Sequence, residues 1–540
     1  MSFFDDASLV FLPSGQAGKD GKAYSMKPTN GDGDFTFSRG SNLTATRVDS
    51  NGLIEKGREN LLLQSNSFNT TWTLGSGLSL TSGQSGYDGS SDAWEYSDTS
   101  TGNSLGQSVS TSGVQTLSVY AKTGTANGIR LRWLGGSGGN SYFNIADSST
   151  EAYNTTNTIQ TKKESIGGGW FRISIVFDSA VNTIRLYVAD GSTTSSTSGS
   201  IYIQDAQLEQ GLVATEYIES GASTGLAGIL EDSPRFDYSG GASCPSLLLE
   251  PSRTNEIGYS EYFEGWTPQG SPTITSNYGT SPEGLQNSSR LKYTTDSDYI
   301  ETSVSNTSGV FTIYAKGTGN LILTDSGANA SSTTALTSSY QRIELYFSTN
   351  TTTLQIKTDS SGLDAEVYAA QFENDTYPTS YIPNHSGGSV TREADSFQND
   401  TNTSPLNRNA EGTWFVELQK LGDDTNQALY LAPMTSNTQQ IRLHFDASNA
   451  RFRDARNGYA TIGGGVNVKT SMTKMALSID TTSGIAKVYA NGSQLGSDYT
   501  LQSNPFEFSR IVAEGKGFIL KESLFFPTAL SDVELTALTS

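Results

Sequence analysis

The stretch Arg58–Glu–Asn60, followed by Ser65–x–x–Phe68–x–x–x–Trp72, returns later in the chain as Arg253–Thr–Asn255, followed by Ser260–x–x–Phe263–x–x–Trp266. The Arg, Asn, Ser and Phe pairs keep one common spacing. Working outward, Leu53–Ile–Glu55 matches Leu248–Leu–Glu250 just upstream at that same spacing. Downstream, Leu117–Ser–Val–Tyr–Ala–Lys122 matches Phe311–Thr–Ile–Tyr–Ala–Lys316, and Trp170–Phe–Arg172 matches Tyr340–Gln–Arg342. Both copies close alike, with Ala206–Gln–Leu–Glu209 and Tyr217–Ile218 in the first, and Ala370–Gln–Phe–Glu373 and Tyr381–Ile382 in the second. Self-similarity in this order marks one structural unit used twice. The second copy is shorter, and its deletions fall in Ser/Thr/Gly-rich stretches, as loops permit and strands do not.

Each copy reads as strands. In Phe171–Arg–Ile–Ser–Ile–Val–Phe177, residues Phe171, Ile173, Ile175 and Phe177 form one apolar face, and Ile343, Leu345 and Phe347 do the same in the second copy. Ile129, Leu131 and Trp133 alternate with Arg130 and Arg132. Alternation with period two predicts half-buried antiparallel strands. Turn clusters such as Gly191–Gly199 punctuate them, so a two-sheet sandwich or jelly roll is expected. The last third carries other strands: Thr413–Leu418, Gln440–Phe445, Met475–Asp480 and Ile485–Ala490, the last ending in the hairpin signal Asn491–Gly492. Ser531–Asp–Val–Glu534 is a capping box ahead of Leu535 and Leu538, predicting a short closing helix. The expected fold class is all-β: tandem antiparallel jelly-roll sandwiches plus a C-terminal sandwich.

Composition agrees with this. Of 540 residues, 34% are hydrophobic and 16% charged, but aromatics reach 10%, which argues against disorder. The net charge is −21, with 55 acids against 34 bases, so a nucleic-acid partner is not expected. Cys244 is the only cysteine, which rules out an intrachain disulfide and reads as a small inert side chain. The N-terminus lacks a basic n-region, and no apolar run approaches the length of a membrane span. Synthesis in a cytoplasm without membrane insertion is therefore expected.

The Ser–x–x–Phe–x–x–x–Trp opening, the central Tyr–Ala–Lys, the Trp/Tyr–x–Arg strand and the closing Ala–Gln–Leu/Phe–Glu resemble the CenC-type carbohydrate-binding jelly roll. Val488–Tyr–Ala–Asn–Gly492 and Ala529–Leu–Ser–Asp–Val–Glu–Leu535 resemble a laminin G or concanavalin A-like sandwich. The order of these motifs, with Thr46–Glu55 leading into the first copy and Ser246–Asn255 into the second, is similar to modular virion proteins of tailed bacteriophages. The resemblance implies a virion fibre or decoration protein, made in a host cytoplasm, partnering other virion proteins and host-surface glycans as a homo-oligomer. It does not imply head fibre, tail fibre or baseplate. The expected organisation is an N-terminal attachment segment over 1–58, jelly roll 1 over 59–220, a connector over 221–253, jelly roll 2 over 254–384, and the C-terminal sandwich over 385–540. The attachment segment is too poor in apolar residues for its own core and needs a partner. The sandwich is expected to fold alone.

Catalytic patterns fare poorly. Gly135–Gly–Ser–Gly–Gly139 fits G-x-S-x-G formally, but a strand follows it, and only His385 and His444 could act as bases, so a glycine hairpin is expected. The same scarcity removes zinc, and no acid pair stands out for glycoside hydrolysis. The expectation is a protein that is not an enzyme. No cofactor is called for; Asn30–Asp34 and Asp423–Asp424 offer oxygen ligands for structural calcium, but solvated turns are the favoured reading of each. Exposed aromatics beside polar groups are the better candidates for binding sugars. Trp133 with Arg130, Arg132 and Tyr142 forms the candidate platform. The competing reading continues the Ile129/Leu131 core face through Trp133. The strand Asn320–Thr324 in the second copy has no aromatic. Trp72, Trp170, Trp266 and Trp414 read as core. Two other functions compete with adhesion: a purely structural virion spacer, and a polysaccharide depolymerase.

Overall fold

The computed structural model describes residues 3–13, 21–40, 43–147, 152–192, 196–241, 243–399, 406, 411–423, 425–432, 440–502 and 508–540, and strand counts refer to these. The first copy is a jelly roll of two six-stranded antiparallel sheets. One sheet runs in the order Ala152–Thr156, Gly139–Asn144, Gly128–Leu134, Val181–Ala189, Leu105–Thr111 and Thr73–Leu74. The other runs Gln160–Gly167, Trp170–Asp178, Val114–Thr123, Gly199–Gln210, Ala93–Asp98 and Leu78–Gln84. The inward residues Ile129, Leu131, Ile173, Ile175 and Phe177 meet between the sheets with no exposed surface. Period-two alternation in the sequence thus becomes the two faces of each strand.

The second copy uses the same plan with longer strands. Gln341–Lys357 pairs with Tyr299–Asp325 twice: Ile343–Phe347 lies beside Gly309–Ile313, and Leu354–Ile356 lies between Ile300–Thr302 and Leu323–Asp325. Each long strand therefore serves both layers. The residues that define the repeat form the same hydrogen bonds in both copies. Asn60 donates to the carbonyls of Ala206 and Ile218 and accepts from the amides of Leu62 and Leu208. Asn255 makes the matching four bonds to Ala370, Ile382, Ile257 and Phe372. The Ser65 hydroxyl meets the Tyr217 phenol, as Ser260 meets Tyr381. Glu209 accepts from the amide of Thr215, and Glu373 from that of Thr379. Asp205 and Ala369 take the same left-handed backbone turn, at φ 55° and 57°. Buried polar groups must be paired, so these side chains recur because they satisfy backbone groups that bulges leave open.

The C-terminal sandwich departs from expectation. Its sheets have nine and eight strands, and both include residues from outside 385–540. Leu9–Phe11 pairs antiparallel with Phe518–Phe526, as does the connector strand Ser246–Leu249. Phe35–Ser38 pairs with Ser396–Gln398, which pairs in turn with Arg510–Glu514. Phe11, Phe35 and Phe397 form one buried ring cluster, with Phe35 and Phe397 stacked at 4.3 Å. The N-terminal segment thus finds its apolar partner in the far end of its own chain, and the sandwich is built from strands on both sides of residue 385. Both jelly rolls are insertions into this composite sandwich. Each is closed by a short antiparallel pair where the chain enters and leaves: Arg58–Asn60 with Gly225–Ala227, and Arg253–Asn255 with Val390–Arg392. The predicted hairpin at Asn491–Gly492 and the capping box on the helix Asp532–Thr539 are both present.

Buried ion pairs fasten these crossings. Arg235 of the connector bonds Glu250 at 2.6 Å and also Asp395, Arg392 lies 3.0 Å from Glu250, and Arg39 lies 3.5 Å from Asp395. All five side chains are buried. Three cations facing two anions in a dry site leave an excess positive charge, and burial lowers the Arg39 guanidinium to about 10. A second cluster places Lys56 at 2.8 Å from Glu261 and 3.2 Å from Glu283, joining the strand Ile54–Lys56, just ahead of the first jelly roll, to the second jelly roll.

Candidate functional site

The strand Gly128–Leu134 decides the candidate site through its alternation. Trp133 points inward. It has no exposed surface and stacks on Phe177 at 4.1 Å with an interplanar angle of 7°. A Cβ at Gly139 would sit 2.3 Å from the Trp133 ring, so that glycine makes room for the indole. Trp133 is therefore core and drops out of the platform. The run Gly135–Gly139 is the turn between two paired strands, with Gly138 donating to the Gly135 carbonyl at 2.8 Å. Ser137 sits in that turn and not on a strand–helix elbow.

Arg130, Arg132 and Tyr142 share the opposite face, but Tyr142 is only 4% exposed and lies beneath the half-buried Arg130, so it is not the open aromatic platform expected. Tyr142 and Tyr187 lie directly across from Arg130 on the two neighbouring strands. The Arg130 guanidinium is 4.9 Å from each ring centroid and also bonds the Asn140 side-chain oxygen. Guanidinium stacked between aromatic rings is a favourable cation–π arrangement that fixes the side chain in place. Tyr153 extends the row by stacking on Tyr142 at 5.7 Å. Arg132 faces Asn140 on one side and Arg185 on the other.

Sequence reasoning missed Arg185, Tyr187 and Tyr153. The alternation of Arg185 and Tyr187 with Ile184, Leu186 and Val188 signalled an outward pair, but nothing local says which strand lies beside 128–134. Burial raises the Tyr187 phenol, yet Arg185, Ser104 and Arg132 around its oxygen more than offset this and leave its pKa lowered. Burial lowers the pKa of Arg130, and Arg132 adds to that shift. The local potential is thus positive in an acidic protein. In the second jelly roll, the strand positions equivalent to Arg130 and Arg132 carry Ile322 and Thr324, which face Lys357 and Gln355, with Leu321 and Leu323 buried on the other face.

Other aromatic groups are committed to structure. Tyr120 and Trp170 are buried, and Tyr87 covers Tyr120 in a 3.8 Å stack. Trp72, Trp266 and Trp414 are also buried. A cleft of about 750 Å³ opens between the second jelly roll, the hairpin Thr46–Lys56 and the composite sandwich, with Tyr314, Arg342 and Tyr346 on one wall and Leu421, Ile519 and Lys521 on the other. Within it Lys521 is paired with Glu417, Arg47 with Glu55 and Lys469 with Asp423. Cys244 is exposed at its rim. His385 lies beside Glu261 and Lys56, where burial brings its pKa to about 4, while His444 lies 3.6 Å from Asp446. Within Asn30–Asp34, Asp34 accepts from Ser25 and Asn30 bonds Asp32, while Asp423 pairs with Lys469. Asp424 lies outside the described residues. No group of three His, Cys, Asp or Glu among the described residues is arranged to hold a metal.

No protein-family model matches the chain, and no curated protein matches it in sequence. Among solved structures, the carbohydrate-binding module (CBM40) of a Ruminococcus gnavus sialidase, bound to α2,3-sialyllactose, is 16% identical over 25% of this chain and 84% of its own, with a TM-score of 0.21. The LG1–3 region of the laminin α2 chain is 8% identical over 81% of this chain and 97% of its own, with a TM-score of 0.16. An exo-β-1,3-galactanase from Phanerochaete chrysosporium is 11% identical over 64% of this chain and 70% of its own, at 0.17. Overlaps this small carry no weight for function; the all-β jelly-roll architecture rests on the strand pairing itself.

Proposed function

We propose that this chain is a non-catalytic, glycan-binding adhesion protein, and that it works on the surface of a tailed-phage particle as a fibre or decoration protein. The observation that carries the binding reading is the outward face of the first jelly roll. There Arg130 is held between Tyr142 and Tyr187, beside Arg132, Arg185 and Asn140. Its strands are anchored by a core that includes Trp133, so the polar groups are presented on a rigid sheet and not on a loop. The side chains offer several hydrogen-bond donors in fixed directions, together with an aromatic edge at Tyr153, which is what hydroxyl-rich rings require. The phage reading is supported by the order of the sequence motifs.

A glycan array probed with the full chain tests the binding. Glycan-dependent retention that falls at least tenfold in Arg130→Ala is expected; an array with no retained glycan overturns the reading. Retention with release of shortened sugar, abolished by one Asp or Glu substitution, would make the protein a depolymerase. Antibody labelling of particles in electron micrographs tests the placement, and unlabelled particles would remove the virion role.

A further inference from the structure

Arg132 and Arg185 stand directly opposite one another on adjacent strands, about 4.8 Å apart across the sheet. Like charges in this position destabilise a sheet. Some arginines elsewhere carry carboxylates, as Arg47 does with Glu55 and Arg290 with Asp364, while Arg172 and Arg342 are spent on backbone carbonyls. Among the described residues, Arg130, Arg132 and Arg185 have no carboxylate within 4.0 Å. In a chain with 55 acids and 34 bases, three such cations on one face stand out against the composition.

The shape of the face points the same way. Across five neighbouring strands the row reads Asn140, Arg132, Arg185, Gly106 and Thr73. Gly106 is buried against the Arg185 stem, where a Cβ would lie 3.2 Å from the Ile184 carbonyl and 3.4 Å from Arg185 Cγ, so the glycine lets that stem lie flat on the sheet. The row therefore has two guanidinium groups at its centre, an amide at one end, and the exposed Thr73 at the other. Guanidinium forks match the two oxygens of a carboxylate.

We propose that this face selects acidic glycans, with a sugar carboxylate bridging Arg132 and Arg185 while Arg130, held by Asn140, bonds a neighbouring hydroxyl. This deepens the glycan-binding reading and rests on it. Nucleic acid fits the face less well. Its charges recur along the whole strand at about 3.4 Å, and a strand running past three arginines would meet the acid-rich remainder of the surface.

The test uses the full chain on immobilised uronic-acid and sialic-acid glycans, each paired with its carboxyl-reduced form, with single-stranded DNA alongside. Binding to acidic members at least tenfold tighter than to their reduced partners is expected. Arg132→Gln/Arg185→Gln should lose that preference with a melting temperature equal to or above the parent's, because the like-charge contact is gone. Should that variant fail to fold, Arg132→Lys/Arg185→Lys decides: it keeps the charge, loses the fork, and is expected to bind more weakly. Equal binding to acidic and reduced forms would overturn the acidic selection and leave the glycan reading standing. No binding to any glycan would remove both. Binding to DNA as tight as to acidic glycans would show a general polyanion surface and overturn the selection.

Discussion

Removing residues 1–40 should unfold the C-terminal sandwich while sparing both jelly rolls. The deletion takes away the strand paired with Phe518–Phe526 and the strand paired with Ser396–Gln398. With them go Leu9, Val10, Phe11, Phe35 and Phe37, none more than 1% exposed. Burying each such side chain stabilises by about 1.5–3 kcal/mol, so the five together supply roughly 7–15 kcal/mol as an upper range. That equals the whole stability of an ordinary domain, about 5–15 kcal/mol. The deletion also uncovers Phe397 and breaks the buried Arg39–Asp395 contact. Limited proteolysis with mass spectrometry, alongside calorimetry, reads the result directly. Cleavage is expected throughout 393–540, with protected fragments from the two jelly rolls and loss of one melting transition. Phe35→Ala tests the same packing without removing a strand and should cost about 3–5 kcal/mol. A truncated chain that melts as the parent does, with 393–540 still protected, would refute the composite sandwich.

Asn60→Ala and Asn255→Ala should each destabilise their own jelly roll by about 2–4 kcal/mol, because each leaves buried backbone groups unpaired; chemical denaturation of both variants should give losses of similar size. Arg235→Ala should remove charge-assisted hydrogen bonds to Glu250 and Asp395 worth about 1.5–3 kcal/mol each, with Arg392 and Arg39 left beside the two carboxylates, read as a lowered thermal midpoint for the sandwich. Burial raises the Asp205 carboxyl to about 7, with repulsion from Asp92 and Asp88 adding to it against the Tyr87 hydrogen bond. The folded state then holds a proton that the unfolded chain releases near pH 3.8, so this group's contribution to stability falls as pH rises from about 4 through 7. Asp205→Asn should therefore gain stability over the parent as pH increases across that window, measured by melting at stepped pH; a gap independent of pH would refute the assignment.

What the sequence determined by itself was local and periodic. Alternation placed Phe171, Ile173, Ile175 and Phe177 on one buried face, and Ser531 with Glu534 announced the closing helix. The repeat was legible because the same bulge imposes the same hydrogen-bonding side chains twice, Asn60 and Asn255 among them. Alternation also set Trp133 against Arg130 and Arg132 on opposite faces but left it open as platform or core, and the stack on Phe177 inside the sandwich decided for core. Only the tertiary structure decided which strands became neighbours. Leu9–Phe11 is three residues long, and its partner lies at the other end of the chain; so short a strand carries no local mark of register, and its place is set by the cavity it fills. Arg185 and Tyr187 joined Arg130 for the same reason: an outward side chain acquires its companions only when the sheet order brings another strand alongside.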